Sequence, residues 1–476
     1  MNLDAITLQV MANALRSVAE EMEATLIRAA YSPNITERRD CSTALFDAHG
    51  LMIVQSASIP VHLGAMPEAV AAVRARDPRP GDLWLVNDPY RGGTHLPDLT
   101  MISPLVWDGR TLGYAVTRAH HADVGGMSAG SMPAGSRELL QEGLVIPPVR
   151  LVAEGRERTD VWEILLANSR TPDERAGDLR AQRAAHGAAE RGLQQVVDRH
   201  RIATVRAALR ELPAYAERRT RAAIAAMPDG TYRAAEALEG DGVSEDALWI
   251  RVAVTIDADR VRVDFKGTDP VGPGNCNCPL AVTRSAVYFV LRAVTDPDTP
   301  ASAGAFAPVT IDAPEGCLVN ARPPAAVAGG NVETSSRIVD AVFAAFSQAI
   351  PVPAQGQGTM NNLTLGGPGF TYYETLGGGQ GASRDADGPS AVHVAMSNTL
   401  NTPIEALEVA HLIDFKRYFA DEIADLREME KGGLLKLDDK WISVQPRGRM
   451  LVRAIAMVFD RYLRADRERA RYSKVI

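Results

Sequence analysis

Apolar residues recur at Ile6, Val10, Ala14, Val18, Met22, Leu26 and Ala30. This spacing is close to the 3.6-residue repeat of an amphipathic helix and predicts one over residues 4–31. Asp4 stands near its start, and Pro33 ends it. Alternation over 42–54 then predicts two short strands around the turn Asp47-Ala48-His49-Gly50. A short helix is expected over 66–76, and buried strands over 83–86, 99–106 and 112–117. Residues 170–227 read as charged helix rich in Arg, Ala, Glu and Gln, broken near Pro213. Strands return over 232–265, where Asp257-Ala258-Asp259 marks a hairpin turn. Residues 266–400 are rich in Gly, Asn and Pro and carry two expected helices, at 283–295 and 335–350. Helical text resumes at 404–432 and 449–472. No repeat of fixed period is visible.

This pattern delivers chemistry at two strand ends. The strand at 83–86 runs into Asn87-Asp88-Pro89-Tyr90-Arg91-Gly92-Gly93-Thr94-His95-Leu96-Pro97-Asp98. The strand at 112–117 runs into Arg118-Ala119-His120-His121-Ala122-Asp123-Val124-Gly125-Gly126. Imidazole and carboxylate are natural ligands for a divalent ion, and two His with one carboxylate leave coordination positions open. A hydrogen-bonded polar cluster under loops is the competing reading. Asp40, just ahead of a strand, is either a further ligand or a helix-end salt-bridge partner. Cys41 reads as a small buried residue rather than a nucleophile. Cys276-Asn277-Cys278 lacks the second thiol pair of a zinc site, with Cys317 as the one further thiol nearby. Gly329-Gly330-Asn331-Val332-Glu333-Thr334-Ser335 leads into a helix and could seat an anion there. The glycines at Gly377-Gly378-Gly379 read as close backbone packing. GxxxxGK[ST] does not occur in the sequence.

Composition narrows the classes. With 46% hydrophobic and 23% charged residues, the 476-residue chain is an ordinary globular protein, not a disordered one. Fifty-nine acidic against 51 basic residues give a net charge of −8, which argues against nucleic acid as a partner. Four cysteines in this length exclude a disulfide scaffold. The start MNLDAITLQV has no basic region before an apolar stretch, and no uncharged apolar run reaches membrane-spanning length. A cytoplasmic protein without signal peptide or membrane segment is the expectation.

Several strings together resemble the hydantoinase B/oxoprolinase family. They are Ser58-Ile-Pro-Val-His-Leu-Gly64, Asn87-Asp-Pro-Tyr90, Gly92-Gly-Thr-His-Leu-Pro-Asp98 and Ala119-His-His-Ala-Asp-Val-Gly-Gly126. Arg170-Thr-Pro-Asp-Glu-Arg175, Gly177-Asp-Leu-Arg180, Gly330-Asn-Val-Glu-Thr-Ser335 and Gly358-Thr-Met-Asn-Asn362 follow in the family's order. Tyr373-Glu-Thr375 and Asn398-Thr-Leu-Asn-Thr-Pro403 complete the set. The resemblance implies the metal-bearing subunit of an ATP-dependent cyclic-amide hydrolase acting on hydantoin, 5-oxoproline or lactam rings. A hydantoinase A-type partner would carry ATP and magnesium and phosphorylate the carbonyl oxygen, in a hetero-oligomer. The implied ligands of a zinc, manganese or iron ion are His95, Asp98 and His120, with Asp40 as a further one. His121 and Asp123 are the expected proton carriers. The corresponding subunit of a ketone carboxylase, a non-catalytic assembly subunit and a zinc hydrolase acting alone are the rival readings.

The expected fold class is mixed α/β: a large multi-layer hydantoinase B-like core with a helical C-terminal tail. Its expected divisions are 1–169 with the metal site, the charged helical segment 170–230, the strand- and loop-rich region 231–403, and the tail 404–476. Family members continue after the Asn-Thr-Pro motif into glycine-rich strands, so the charged tail is a departure.

Overall fold

The computed structural model describes residues 3–56, 59–367, 369–400, 402, 414–438, 442–451, 455 and 457–459. Helix α1 (Ala5–Ala29) starts where Asp4 accepts a hydrogen bond from Thr7 N at 2.9 Å. Its buried stripe is Met11, Leu15, Val18, Met22 and Leu26, while Ile6 and Val10 are exposed. The expected stripe therefore misplaced its first turns. A ladder stepping by four advances about 40° per step around a 3.6-residue helix, so it wanders off one face. Steps that mix three and four hold the face.

Seven antiparallel strands form the main sheet: β1 (Cys41–Asp47), β2 (Met52–Gln55), β3 (Leu83–Val86), β4 (Asp98–Trp107), β5 (Arg110–His120), β6 (Val149–Ala153) and β7 (Arg156–Glu157). Their order is β2-β1-β5-β4-β3-β6-β7. Side chains alternate between faces. Leu45, Leu85, Leu99, Met101, Ala115 and Ala119 point one way; Ala44, Phe46, Trp84, Val86, Ile102, Tyr114 and Val116 point the other. Both faces are apolar because both are covered, which is why the sequence reads as continuous apolar runs there. On the first face lie α1, α4 (Thr159–Ala167), the long α5 (Pro172–His200) and α6 (Ile202–Ile224). On the second lie α3 (Met66–Arg74), α7 (Leu280–Val294) and α9 (Ser335–Phe346). The element α2 is the short turn Pro33–Thr36, and α8 is Ala303–Phe306.

Beyond them is a four-stranded sheet of β8 (Gly230–Leu238), β9 (Leu248–Asp257), β10 (Arg260–Asp264) and β11 (Val309–Asp312), in the order β11-β10-β9-β8. Here burial alternates strictly: Ile250, Val252, Val254 and Ile256 face the core, and Arg251 and Asp257 face water. One correction concerns the helices. The break in the charged helical segment falls at Arg201, which takes a positive φ of 65°, and not at Pro213. Pro213 sits inside α6, where Gly304 of α8 comes against its carbonyl; a side chain at residue 304 would collide with it.

A hairpin of β12 (Asn361–Gly367) and β13 (Phe370–Leu376) follows. The tail contributes helices Phe415–Tyr418 and Ala420–Lys431, then a small hairpin of β14 (Leu435–Leu437) and β15 (Ile442–Val444) at a place where no element was expected. Phe415, Phe419, Leu426, Leu435 and Phe459 make a separate apolar cluster that leans on Leu363 and Leu365 of β12. Most of the helix expected over 449–472 lies outside the described residues. No helix among the described residues is long and apolar enough to cross a membrane.

His186 of α5 joins helix to sheet, with Nδ1 2.7 Å from Ser103 Oγ on β4 and Nε2 3.2 Å from Thr117 Oγ1 on β5. Burial pushes its pKa down to about 3 from an ordinary 6.5. The unfolded chain therefore takes up this proton first, and stability falls as the pH drops from about 6.5 toward 3. Urea unfolding at pH 7 and pH 5 should show that His186→Gln loses about 2 kcal/mol less between the two than the unmodified chain. Equal losses would contradict it.

Candidate metal centre

Strands β1, β5 and β4 are neighbours, and each brings a residue to the same end of the sheet. Asp98 opens β4 and pairs with His120, the last residue of β5. Asp40 immediately precedes β1, and its backbone carbonyl accepts from His120 N at 3.0 Å. His95 comes from the loop before β4. That loop can turn tightly because Gly92 has φ +94° and lies against the Ala69 backbone of α3, leaving no room for a Cβ. The ligand atoms of His95, Asp98 and His120 lie within 4.8 Å of one another, and all three residues are buried. Among the described residues they are the one such group of three or more His, Cys, Asp and Glu.

The electrostatics suit a cation. His95 Nδ1 lies 3.2 Å and His120 Nδ1 3.5 Å from the Asp98 carboxylate. Burial alone would raise the Asp98 pKa, but His95 and the neighbouring imidazoles His120 and His62 outweigh it and hold the carboxyl well below its ordinary value. Burial lowers the His120 pKa, which favours the neutral ring that a metal needs. Both ring nitrogens of His95 and Nε2 of His120 are buried without a hydrogen-bond partner. Buried polar atoms are rarely left so, and a divalent ion would satisfy them. The residues present therefore fit the ion that the sequence implied. They border a cavity of about 20 Å³, room for one water-sized occupant.

Asp40 borders the same cavity but lies outside the three-residue group, and its carboxylate is 3.7 Å from the Arg38 guanidinium. It thus meets the salt-bridge description, and borders the cavity where the other would place it. His121 and Asp123 are not brought to the cavity. His121 turns away, with Nε2 2.9 Å from Gln182 Oε1, and burial lowers its pKa. Asp123 is consumed by its own loop: it accepts from Gly125 N, Gly130 N and Arg170 N and pairs with Arg170 at 2.8 Å. These positions leave neither residue within reach of the three ligands' cavity as a proton carrier.

The other sequence candidates resolve as packing. All four cysteines are unpaired and buried; burial pushes Cys276 and Cys278 up to about 12 and Cys41 well above its ordinary value. Helical turns begin at residue 328 and pass through the π-type turn Gly330–Thr334 into α9. The anion position expected at this helix start is filled by the protein's own Glu142. Its carboxylate accepts from Val327 N and Ala328 N, each at 3.0 Å. Gly377 and Gly378 pack against Val392 and Gln357.

Several cavity residues were not singled out from the sequence. His62, Asn331, Met360, Tyr373, Thr375, Met396 and Thr399 complete the wall. Tyr373 stacks on His120, with ring centroids 4.4 Å apart and planes 13° apart. Arg38, fully buried, donates from Nη1 to the Tyr373 carbonyl at 2.8 Å and from Nη2 to Thr375 Oγ1 at 3.0 Å. It ties β13 to the ligand end of the sheet. The sequence signal for the wall residues was the family strings, in which all of them but Met396 stand.

Removing Arg38 strands these acceptors and Asp40 in a buried place. Arg38→Ala should cost about 3–5 kcal/mol in urea unfolding at neutral pH. A loss under about 1 kcal/mol would show that the clamp carries little.

A sequence model described as Hydantoinase B/oxoprolinase matches residues 4–421. 5-Oxoprolinase 1 of Arabidopsis thaliana is 34% identical over 90% of this chain, which spans 36% of that protein. The 5-oxoprolinase of Dictyostelium discoideum is 33% identical over 87% of this chain, which spans 33% of that protein. The chain thus covers about a third of the length of these two relatives. Among solved structures, the ATP-dependent caprolactamase of Pseudomonas jessenii superposes with a TM-score of 0.81 and 32% identity, covering 86% of this chain and 73% of that one. Nucleotide-free acetone carboxylase gives a TM-score of 0.78 at 19% identity, covering 85% and 58%; this likeness is one of fold.

Proposed function

The chain belongs to the hydantoinase B/oxoprolinase family, and on that footing we propose that it is the metal-bearing part of an ATP-dependent enzyme that opens cyclic amides. The substrates in view are hydantoins, 5-oxoproline and lactams. The observation that carries this reading is the buried group His95, Asp98 and His120, with imidazole nitrogens unpartnered around one carboxylate. Zinc, manganese and iron all suit these donors.

The absence of GxxxxGK[ST] from the sequence fits nucleotide chemistry on a hydantoinase A-type partner. Phosphorylation of the amide oxygen there converts it into a leaving group. Water then adds to the ring carbon, the C–N bond of the adduct breaks as a proton passes to nitrogen, and the acyl phosphate left behind is hydrolysed by a second water to carboxylate and phosphate. A divalent ion held by His95, Asp98 and His120 supplies Lewis acidity and lowers the pKa of water in the cavity. The chain's own residues supply position. The β4–β5 ladder fixes Asp98 opposite His120, Tyr373 holds the His120 ring by stacking, and Arg38 holds Tyr373. The apolar wall of Ile59, Val61, Met360 and Met396 keeps bulk water away.

The test uses the chain together with its ATPase partner. His95→Ala and His120→Ala should each abolish ATP-dependent ring opening and remove most of the bound metal, measured by elemental analysis. Full metal content with normal turnover would overturn the reading. Bicarbonate-dependent consumption of acetone or acetophenone, with no ring opening, would place the chain with the ketone carboxylases instead.

A further inference from the structure

A third imidazole faces Asp98, and it has no place in the ligand group. His62 lies in the short 3₁₀ turn Pro60–His62, is 1% exposed, and stands in the cavity wall. Its two nitrogens are treated differently. Nδ1 is 2.8 Å from Ser42 Oγ on β1, whereas Nε2 has no hydrogen-bond partner and stands 3.4 Å from Asp98 Oδ2.

The serine selects the tautomer. Ser42 Oγ accepts from Ile59 N at 3.3 Å, and its buried O–H has no acceptor among the described contacts other than His62 Nδ1, which makes the hydroxyl the donor there. A neutral imidazole that accepts at Nδ1 carries its proton at Nε2, the nitrogen aimed at Asp98. The turn itself is anchored from the other side. Gly64 N donates to Ser285 Oγ of α7 at 2.8 Å, and a Cβ on Gly64 would come within 2.6 Å of the Ser285 backbone nitrogen.

Asp98 Oδ2 is also the acceptor of Thr94 Oγ1. Thr94 and His62 thus converge on Oδ2, which His95 Nδ1 also faces at 3.2 Å, while Oδ1 faces His120. From this geometry we infer that His62 is a positioning residue. It donates from Nε2 to Asp98 Oδ2 and fixes the orientation of the carboxylate. The inference rests on the proposed metal centre and adds a group that holds the carboxylate ligand in place. Such outer partners typically change metal affinity 10–100-fold when removed.

The experiment compares two replacements of similar size in the full-length chain, stripped with a chelator and titrated with Mn²⁺ and Zn²⁺ alone. His62→Leu fills the space without a donor and should weaken binding about 10–100-fold. His62→Gln places an amide donor near the position of Nε2 and should recover most of that loss. Thermal unfolding of the metal-free proteins monitors packing separately and should not track the affinity order. Equal affinity for His62→Leu and the unmodified chain would overturn the inference, as would His62→Gln binding no better than His62→Leu. An unmodified chain that takes up neither ion, beside a folded circular dichroism spectrum, would instead overturn the metal centre itself.

Discussion

The constraint on which the structure turns is one carboxylate, Asp98, buried at the end of a sheet that is covered on both faces. A charge taken out of water is costly unless paired. No Lys or Arg borders its cavity among the described residues; the partners there are imidazoles and the Thr94 hydroxyl. The buried Arg118 lies close enough to feel the Asp98 charge, and the unpartnered imidazole nitrogens beside the carboxylate mark a fixed point that a cation would satisfy. The antiparallel pairing of Asp98 with His120 makes that point rigid, since neither backbone can shift without breaking ladder bonds on both sides.

The layers serve this rigidity. The long α1, α5 and α6 cover one face of the sheet and the four-stranded sheet with α7 and α9 backs the other. A single apolar cluster runs from Ala44 through Ile250 to Met396, so the ligand end of the sheet and the wall facing it share one packed interior.

The sequence made much of this legible. Strands β1 to β5 lie where alternation and apolar runs placed them, and His95, Asp98 and His120 stand together as their positions at strand ends suggested. What it could not convey were orientations. His121 differs from His120 by one position, and in a strand end one residue decides which way a side chain faces. Asp123 was plausible by type, but its loop needed its oxygens for backbone amides. Pro213 signals a break only if the chain cannot tolerate it, and α6 can. His62 and Arg38 lie far from the ligands in the chain and carry no spacing signal; only folding makes them neighbours.

The cavity has a mechanical consequence. Its floor is sheet, held in register by ladder bonds, whereas its roof is β13 and the loop carrying Met396 and Thr399. The β12–β13 hairpin that carries this roof also bears the C-terminal aromatic cluster on Leu363 and Leu365. One two-stranded ribbon thus belongs to two packing units at once, and a shift of the tail cluster would be felt in the wall over His120.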